Sequence, residues 1–185
     1  MLIMKFSKLS VGLLVAALSL SAMATPGTKS AKALLGDASA KALREKKNVL
    51  VLFHASWCGW CKKLDAMLES PTFKKTFENS YVITHVVVLE NGPQKSLENA
   101  GGEDLMYSLG ATKTSGIPFF AVLSPQGTKL GDSNLPNKQN MGYPSEPDEV
   151  AAFMDLLKRT APRMTDSDRA TVETFLKTKS TAAHG

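Results

Sequence analysis

Cysteine occurs twice in the 185 residues, at positions 58 and 61. The pair stands in Trp57-Cys58-Gly59-Trp60-Cys61. The apolar run Val49-Leu50-Val51-Leu52-Phe53 precedes it, and the helix-forming stretch Lys62-Lys63-Leu64-Asp65-Ala66-Met67-Leu68-Glu69 follows. Two thiols at this spacing can close into a disulfide and reopen. A strand that feeds a cysteine into the first turn of a helix also makes that thiol reactive. The unpaired N–H groups and partial positive charge of a helix start favour thiolate over thiol. The competing use of such a pair is a structural staple, but so short a loop would constrain the unfolded chain by only about 2 kcal/mol. A chain of this size also builds a core without staples. The spacing therefore favours reversible redox exchange.

The elements that must position the pair follow from periodicity and punctuation. Residues 31–47 predict a helix rich in Ala, Leu and Lys, broken at Gly36 and restarted with Asp37 as cap. Residues 49–54 predict a strand covered on both faces, because the run is continuously apolar. Residues 59–69 predict the helix after the cysteines, and Ser70-Pro71 caps and starts another that ends near Glu78. A second strand spans 81–89 and stops at Asn91-Gly92-Pro93. A polar stretch then leads to Gly101-Gly102 and a short helix over 103–109. Gly116-Ile117-Pro118 introduces a third strand, 119–123, which turns at Ser124-Pro125-Gln126-Gly127 and returns antiparallel over 128–130.

Residues 131–144 show no periodicity and are assigned to a loop. Ser145 and Asp148 resemble a capping box for a helix to Arg159, with Val150, Phe153, Met154 and Leu157 as its apolar stripe. Pro162 ends that region, a last helix spans 165–177, and residues 180–185 form a mobile tail. No internal repeat is visible. The order yields a parallel β-α-β unit, a β-hairpin and a covering helix: an α/β fold with a mixed central sheet flanked by helices.

Residues 1–24 read as an export signal. Lys5 and Lys8 precede the apolar stretch 11–20, and Ala22-Met23-Ala24 places small residues before a cleavage point at Thr25. Uncleaved, the stretch would be an anchor, although it is short of the roughly 20 apolar residues a bilayer span takes. No later segment is apolar enough to span. The remaining 161 residues suit one domain, and loss of Lys5 and Lys8 lowers the formal charge from +5 to +3. Lysines occur as scattered pairs, with no basic stripe interleaved with aromatics, which argues against nucleic-acid binding. Export would place the cysteines in an oxidising compartment, the periplasm or the exterior, where disulfides persist.

Residues 49–63 (VLVLFHASWCGWCKK), the downstream Gly116-Ile117-Pro118 and the element order between them resemble the thioredoxin superfamily, over roughly residues 31–159. The likeness is to exported thioredoxin-like proteins with a histidine four residues before the first cysteine. It implies a thioredoxin-like domain over 25–162, with 163–185 as a C-terminal helical extension and tail. It implies thiol–disulfide oxidoreductase activity with Cys58 as the exposed nucleophile and Cys61, one turn deeper, as the resolving thiol of a redox-active disulfide. It further implies a cis peptide at Ile117-Pro118 and a substrate-binding surface of Trp57, Gly59, Trp60, Ile117 and Pro118. The implied partners are proteins carrying disulfides or thiols and a membrane or exported redox partner for recycling. Neither a cofactor nor a metal is implied, and the protein is expected to act as a monomer.

Three departures from the family pattern stand out. Leu52 occupies the position of the buried acid that handles the resolving thiol's proton in thioredoxins, so that proton must go to water, substrate or another side chain, with Glu90 a candidate. His54 stands where thioredoxins have tryptophan; it could tune Cys58 by charge or make a structural hydrogen bond. Lys113-Thr114-Ser115 lengthens the segment before Gly116 and could alter the substrate groove. The dipeptide Gly59-Trp60 matches neither thioredoxins nor strong oxidants, so reductase, oxidase and isomerase stay open, with reductase or general exchange favoured. Two other readings fit the same residues. A metal, zinc or copper, could bind the cysteines with His54, His85 or His184, although His184 lies in the tail and structural zinc takes four ligands. A thioredoxin fold could also serve only as a client-binding module.

Overall fold

The apolar run that precedes the cysteines forms the middle of a four-stranded sheet. The computed structural model describes residues 28–183, so the export-signal reading of residues 1–24 lies outside the described residues. In chain order the elements are α1 (Ala31–Glu45), β1 (Asn48–His54), α2 (Gly59–Leu68), α3 (Lys74–Ser80), β2 (Tyr81–Val87), α4 (Gly102–Ser108), β3 (Phe119–Leu123), β4 (Lys129–Asp132), α5 (Pro147–Thr160) and α6 (Asp166–Ala183). The strand order is β2-β1-β3-β4. β1 runs parallel to β2, in register Leu52 with His85, and antiparallel to β3; β4 closes a hairpin with β3. This is the mixed sheet of a thioredoxin fold.

Alternation along β1 sorts its side chains between two cores. Val49, Val51 and Phe53 face α1 and α4, packing with Ala38, Ala42, Val82, Val86 and Met106. Leu50 and Leu52 face α2 and α5, packing with Leu64, Phe77, Tyr81, Phe120 and Phe153. His54 continues the second series, so the strand delivers its imidazole beneath α2. Gly102 lets α4 lie close on β2: a Cβ there would sit 2.7 Å from Val88 Cγ1.

Several local expectations are corrected. α1 is one uninterrupted helix capped by Ser30, whose Oγ accepts the Ala33 N–H at 3.2 Å. Gly36 sits in open space inside it, costing only the modest propensity penalty of an exposed helical glycine. Ser70 does cap, accepting the Phe73 N–H, but it caps a turn, and α3 begins only at Lys74. The polar stretch after β2 contains a 3-10 helix, Gly92–Leu97.

At α5 the capping acid is Glu149, whose Oε2 accepts the N–H groups of Ser145 and Glu146 at 2.9 and 3.0 Å, in place of the expected Ser145–Asp148 box. The buried stripe of α5 takes Leu156 where Met154 was expected; Met154 is only partly covered. α6 continues through Ala183, so residues 180–183, expected in a mobile tail, are helical. Val172 and Leu176 join the core under α5, and the Phe175 ring meets Phe73 edge-on at 5.0 Å.

Candidate active site

β1 ends at His54, and the chain turns over residues 55–57 before entering α2. That turn places Cys58 at the N-cap of α2 and Cys61 in its first turn. The two form a disulfide, with Cα atoms 5.3 Å apart. The Cys61 backbone N–H donates to Cys58 Sγ at 3.1 Å, so one of the unpaired donors of the helix start is aimed at this sulfur. Such a donor stabilises negative charge on sulfur more than a neutral thiol.

The expected exposure of Cys58 is corrected: it is 3% exposed, as covered as Cys61 at 2%. Ala55 and the two cysteines form a small buried cluster against which Ile117 packs, and the Ile117 carbonyl oxygen lies 3.5 Å from Cys58 Sγ. The backbone here is bent by the cis Ile117-Pro118 peptide, as the resemblance implied. Burial therefore does not distinguish the two sulfurs; their places relative to the helix start do.

Around this covered disulfide stands an open aromatic rim. Trp57 and Trp60 are 52% and 48% exposed, far more than any buried anchor would be. Trp57 is held by its indole N–H, which donates to the Leu89 carbonyl at 2.8 Å. Leu89 itself adopts a left-handed backbone (φ 56°), a strained choice for a residue with a branched side chain. Trp60 stacks on Tyr143, with ring centroids 6.0 Å apart, and Lys63 Nζ lies 4.0 Å from its ring centroid. Partial burial in this stack raises the Tyr143 phenol above its ordinary value.

Beneath the rim lies a polar floor. His54 meets His85 edge-on, centroids 5.2 Å apart, and His85 Nε2 lies 3.1 Å from Asp65 Oδ1. Asp65 follows Cys61 by four residues, one turn along the same face of α2. Desolvation, then the neighbouring His85, hold the His54 imidazole below its ordinary value, against the opposing pull of Asp65 and Glu90. Its Nε2 is buried and has no hydrogen-bond partner among the described residues. Glu90 is 2% exposed and both its oxygens serve Ser56: Oε1 accepts the backbone N–H at 2.6 Å and Oε2 the hydroxyl at 2.8 Å. Its carboxylate thus shapes the turn before Cys58.

Residues 131 and 132, expected in a loop, belong to β4, and the segment that follows them to 144 borders the site. Asn140 Nδ2 donates to the carbonyls of Gly116 and Pro118 at 2.8 and 3.0 Å, straddling Ile117. Its Oδ1 accepts from Ser133 Oγ at 2.7 Å, and Ser133 Oγ in turn accepts the Phe120 N–H. This strap fixes the backbone facing the disulfide and brings Tyr143 to Trp60. Lys113-Thr114-Ser115 forms a self-contained turn, with Ser115 Oγ accepting the Thr112 N–H at 2.9 Å. Together with residues 138–140 that turn borders a small hollow beside Gly116.

Of the residues expected at the site, Cys58, Cys61, Trp57, Gly59, Trp60, Ile117 and Pro118 fall in this one region. Asn140, Tyr143 and Asp65 were not foreseen as part of it, and His85 was foreseen only as a possible metal ligand beside the cysteines. The visible sign was His85, a titratable residue inside a strand that is otherwise apolar apart from Thr84. Among the described residues no group of three or more His, Cys, Asp or Glu side chains is arranged to hold a metal ion. Likewise, no helix among them is long and apolar enough to cross a membrane.

A family model for thioredoxin-like proteins matches residues 31–125. No curated protein matches the chain. Among solved structures, a disulphide isomerase from Xylella fastidiosa Temecula1 aligns at 18% identity over 85% of this chain and 98% of that one, with a TM-score of 0.49. A DsbH oxidoreductase aligns at 21% identity over 83% and 95%, with a TM-score of 0.45. A thioredoxin from Thermus thermophilus aligns at 19% identity over 71% and 85%, with a TM-score of 0.42.

Proposed function

The chain belongs to the thioredoxin-like family, and we propose from that premise that it exchanges disulfides with protein substrates through Cys58 and Cys61. The observation that carries this reading is the Cys58–Cys61 disulfide at the start of α2, with the Cys61 N–H directed at Cys58 Sγ. In the reduced protein Cys58 attacks a client disulfide as thiolate and releases one client thiolate. The Cys61 thiolate then attacks Cys58 Sγ, the Cys58–client bond breaks, and the second client sulfur leaves reduced. Run in reverse, the same steps oxidise a client dithiol.

Recognition falls to the rim and to Ile117. Asn140 engages the carbonyls on either side of that residue, while the Ile117 N–H has no partner among the described residues. An extended client segment can pair there by strand addition, with Trp57 and Trp60 supplying apolar contact on either side of Gly59. Reductase or general exchange is the favoured direction, because Gly59-Trp60 lacks the Pro-His pattern of strong oxidants.

The compartment is proposed to be the periplasm or exterior, reached through residues 1–24, with a membrane or exported partner for recycling. Equilibrating the protein with glutathione buffers tests direction. A potential near that of thioredoxin, about −270 mV, supports reductase, and one near about −120 mV supports oxidase. Absence of any reversible two-electron couple would remove the redox reading. N-terminal sequencing of protein recovered from the envelope is expected to begin at Thr25, and retention of residues 1–24 would indicate an anchor.

A further inference from the structure

We propose that Asn140 is a positioning residue for client capture: it fills one edge of residues 116–118 and leaves the edge facing Cys58 to the client. This rests on the redox reading above. Strand addition needs backbone N–H and C=O groups that are free on one edge and held still. Residues 116–118 precede β3 and have no strand neighbour of their own, so a side chain must hold them.

Asn140 does so with its whole amide. Its Nδ2 donates to the Gly116 and Pro118 carbonyls at 2.8 and 3.0 Å, which uses both hydrogens. Its Oδ1 accepts the Ser133 hydroxyl at 2.7 Å and the Gly142 N–H at 3.3 Å, which uses both lone pairs. The orientation is fixed by these partners, since a flipped amide would set its oxygen against two carbonyl oxygens. Ser133 is fully buried and tied to the sheet. Its N–H donates to the Phe120 carbonyl at 2.9 Å, and its Oγ accepts the Phe120 N–H at 3.0 Å. A continuous run of hydrogen bonds therefore leads from β3 through Ser133 and Asn140 to both sides of Ile117.

The segment that presents Asn140 is ordered by its own bonds. Asn134 and Asn140 pair as an antiparallel bridge. Between them the Leu135 N–H donates to the Gln139 carbonyl and the Lys138 N–H to the Leu135 carbonyl, each at 2.8 Å. Beyond them the Met141 N–H returns to the Ser133 carbonyl at 2.8 Å. The amide is thus in place before a client arrives, and its ordering cost falls on folding and not on binding.

The arrangement has a direction. The Gly116 and Pro118 carbonyls are turned to Asn140, whereas the Ile117 carbonyl is turned to Cys58, 3.5 Å from its sulfur. The Ile117 N–H has no partner among the described residues. Asn140 closes the edge on which a strand could add without meeting the disulfide. A client paired at Ile117 lies alongside Cys58. The favoured substrate class is therefore a disulfide borne on an extended peptide segment, because a small disulfide has no backbone to pair.

The test follows single-turnover oxidation of the reduced full-length protein by the fluorescence of Trp57 and Trp60. Two substrates are compared over a concentration series: a cystine-bridged peptide with an extended segment beside its cysteine, and 2-hydroxyethyl disulfide. For Asn140→Ala the rate constant for the peptide relative to that for the small disulfide is expected to fall about tenfold, through a higher half-saturating concentration and not a lower maximal rate. Asn140→Asp keeps the acceptor for Ser133 and Gly142 but turns an oxygen on the two carbonyls, and is expected to lower the ratio further. An unchanged ratio in both variants, or equal slowing of both substrates, overturns the proposal. A wild-type protein that reacts with neither substrate removes the redox reading, and the proposal with it. Should the variants fail to fold, Cys61→Ser joined to the peptide as a mixed disulfide decides by hydrogen exchange. The Asn140 side-chain NH2 protons are expected to be protected, and the Ile117 amide to become protected when the peptide is attached. NH2 protons that exchange like those of a free amide contradict the role of Asn140, and an Ile117 amide that stays unprotected removes the strand pairing it serves.

Discussion

Above and below a single disulfide the molecule maintains two different environments. The rim of Trp57, Trp60 and Tyr143 is open to water and held by few contacts, chiefly one indole hydrogen bond and one ring stack. The floor combines buried Glu90 with partly covered His54, His85 and Asp65, and its groups answer to one another. Exposed aromatic surface offers binding area to a partner without specifying chemistry. Titratable groups gathered under partial cover set where protons reside. The aromatic rim and the titratable floor can therefore be altered separately, which allows the part each plays to be tested apart.

The largest expected effect destroys what both regions share. Cys58→Ser should lower exchange to the uncatalysed background in a protein-disulfide reduction assay while leaving the fold intact. Next comes the support beneath the turn. Glu90→Gln removes the charge from two hydrogen bonds to Ser56 in a buried setting and is expected to cost about 1–3 kcal/mol in urea unfolding. A loss near zero would mean the turn holds without it.

The rim should respond in binding alone. Trp60→Ala is expected to raise KM for a protein client about tenfold while a small disulfide substrate reacts unchanged. Equal slowing of both substrates would show that the ring serves the chemistry as well as recognition.

The smallest effect belongs to the floor and carries a definite sign. His54 is held below the ordinary imidazole value of about 6.5. The folded protein therefore keeps the ring neutral where the unfolded chain would protonate it. The stability associated with the neutral ring is whole above about pH 6.5 and is lost as pH falls through the folded-state value. Thermal melts of the oxidised wild type should decline across that window, and those of His54→Gln should decline less. Parallel curves would place the ring in water and dissolve the contrast between the two regions.

The parts of this arrangement visible in the chain itself were those with local causes. Alternation and apolar runs marked β1, β2 and β3, and the cysteine spacing with Trp57 and Ile117-Pro118 located the centre of the site. Local reading failed where a residue's partner is distant. Asn140 and Tyr143 lie in a polar, aperiodic segment, and their roles depend on Gly116, Pro118 and Trp60, more than 20 residues away. His85 joins the floor only because parallel pairing sets β2 beside β1 with Leu52 opposite it. Gly36 misled because an exposed helical glycine costs too little to break a helix that is otherwise well formed. The cover over Cys58 also escaped notice, since Ile117 reaches it from the far side of the fold.

The most direct test of the central claim is covalent capture in the cell envelope with single-cysteine variants. If Cys58 attacks and Cys61 resolves, Cys61→Ser should accumulate mixed disulfides with client proteins through Cys58, and Cys58→Ser should accumulate few. Equal capture by both variants, or capture by neither, would contradict the account.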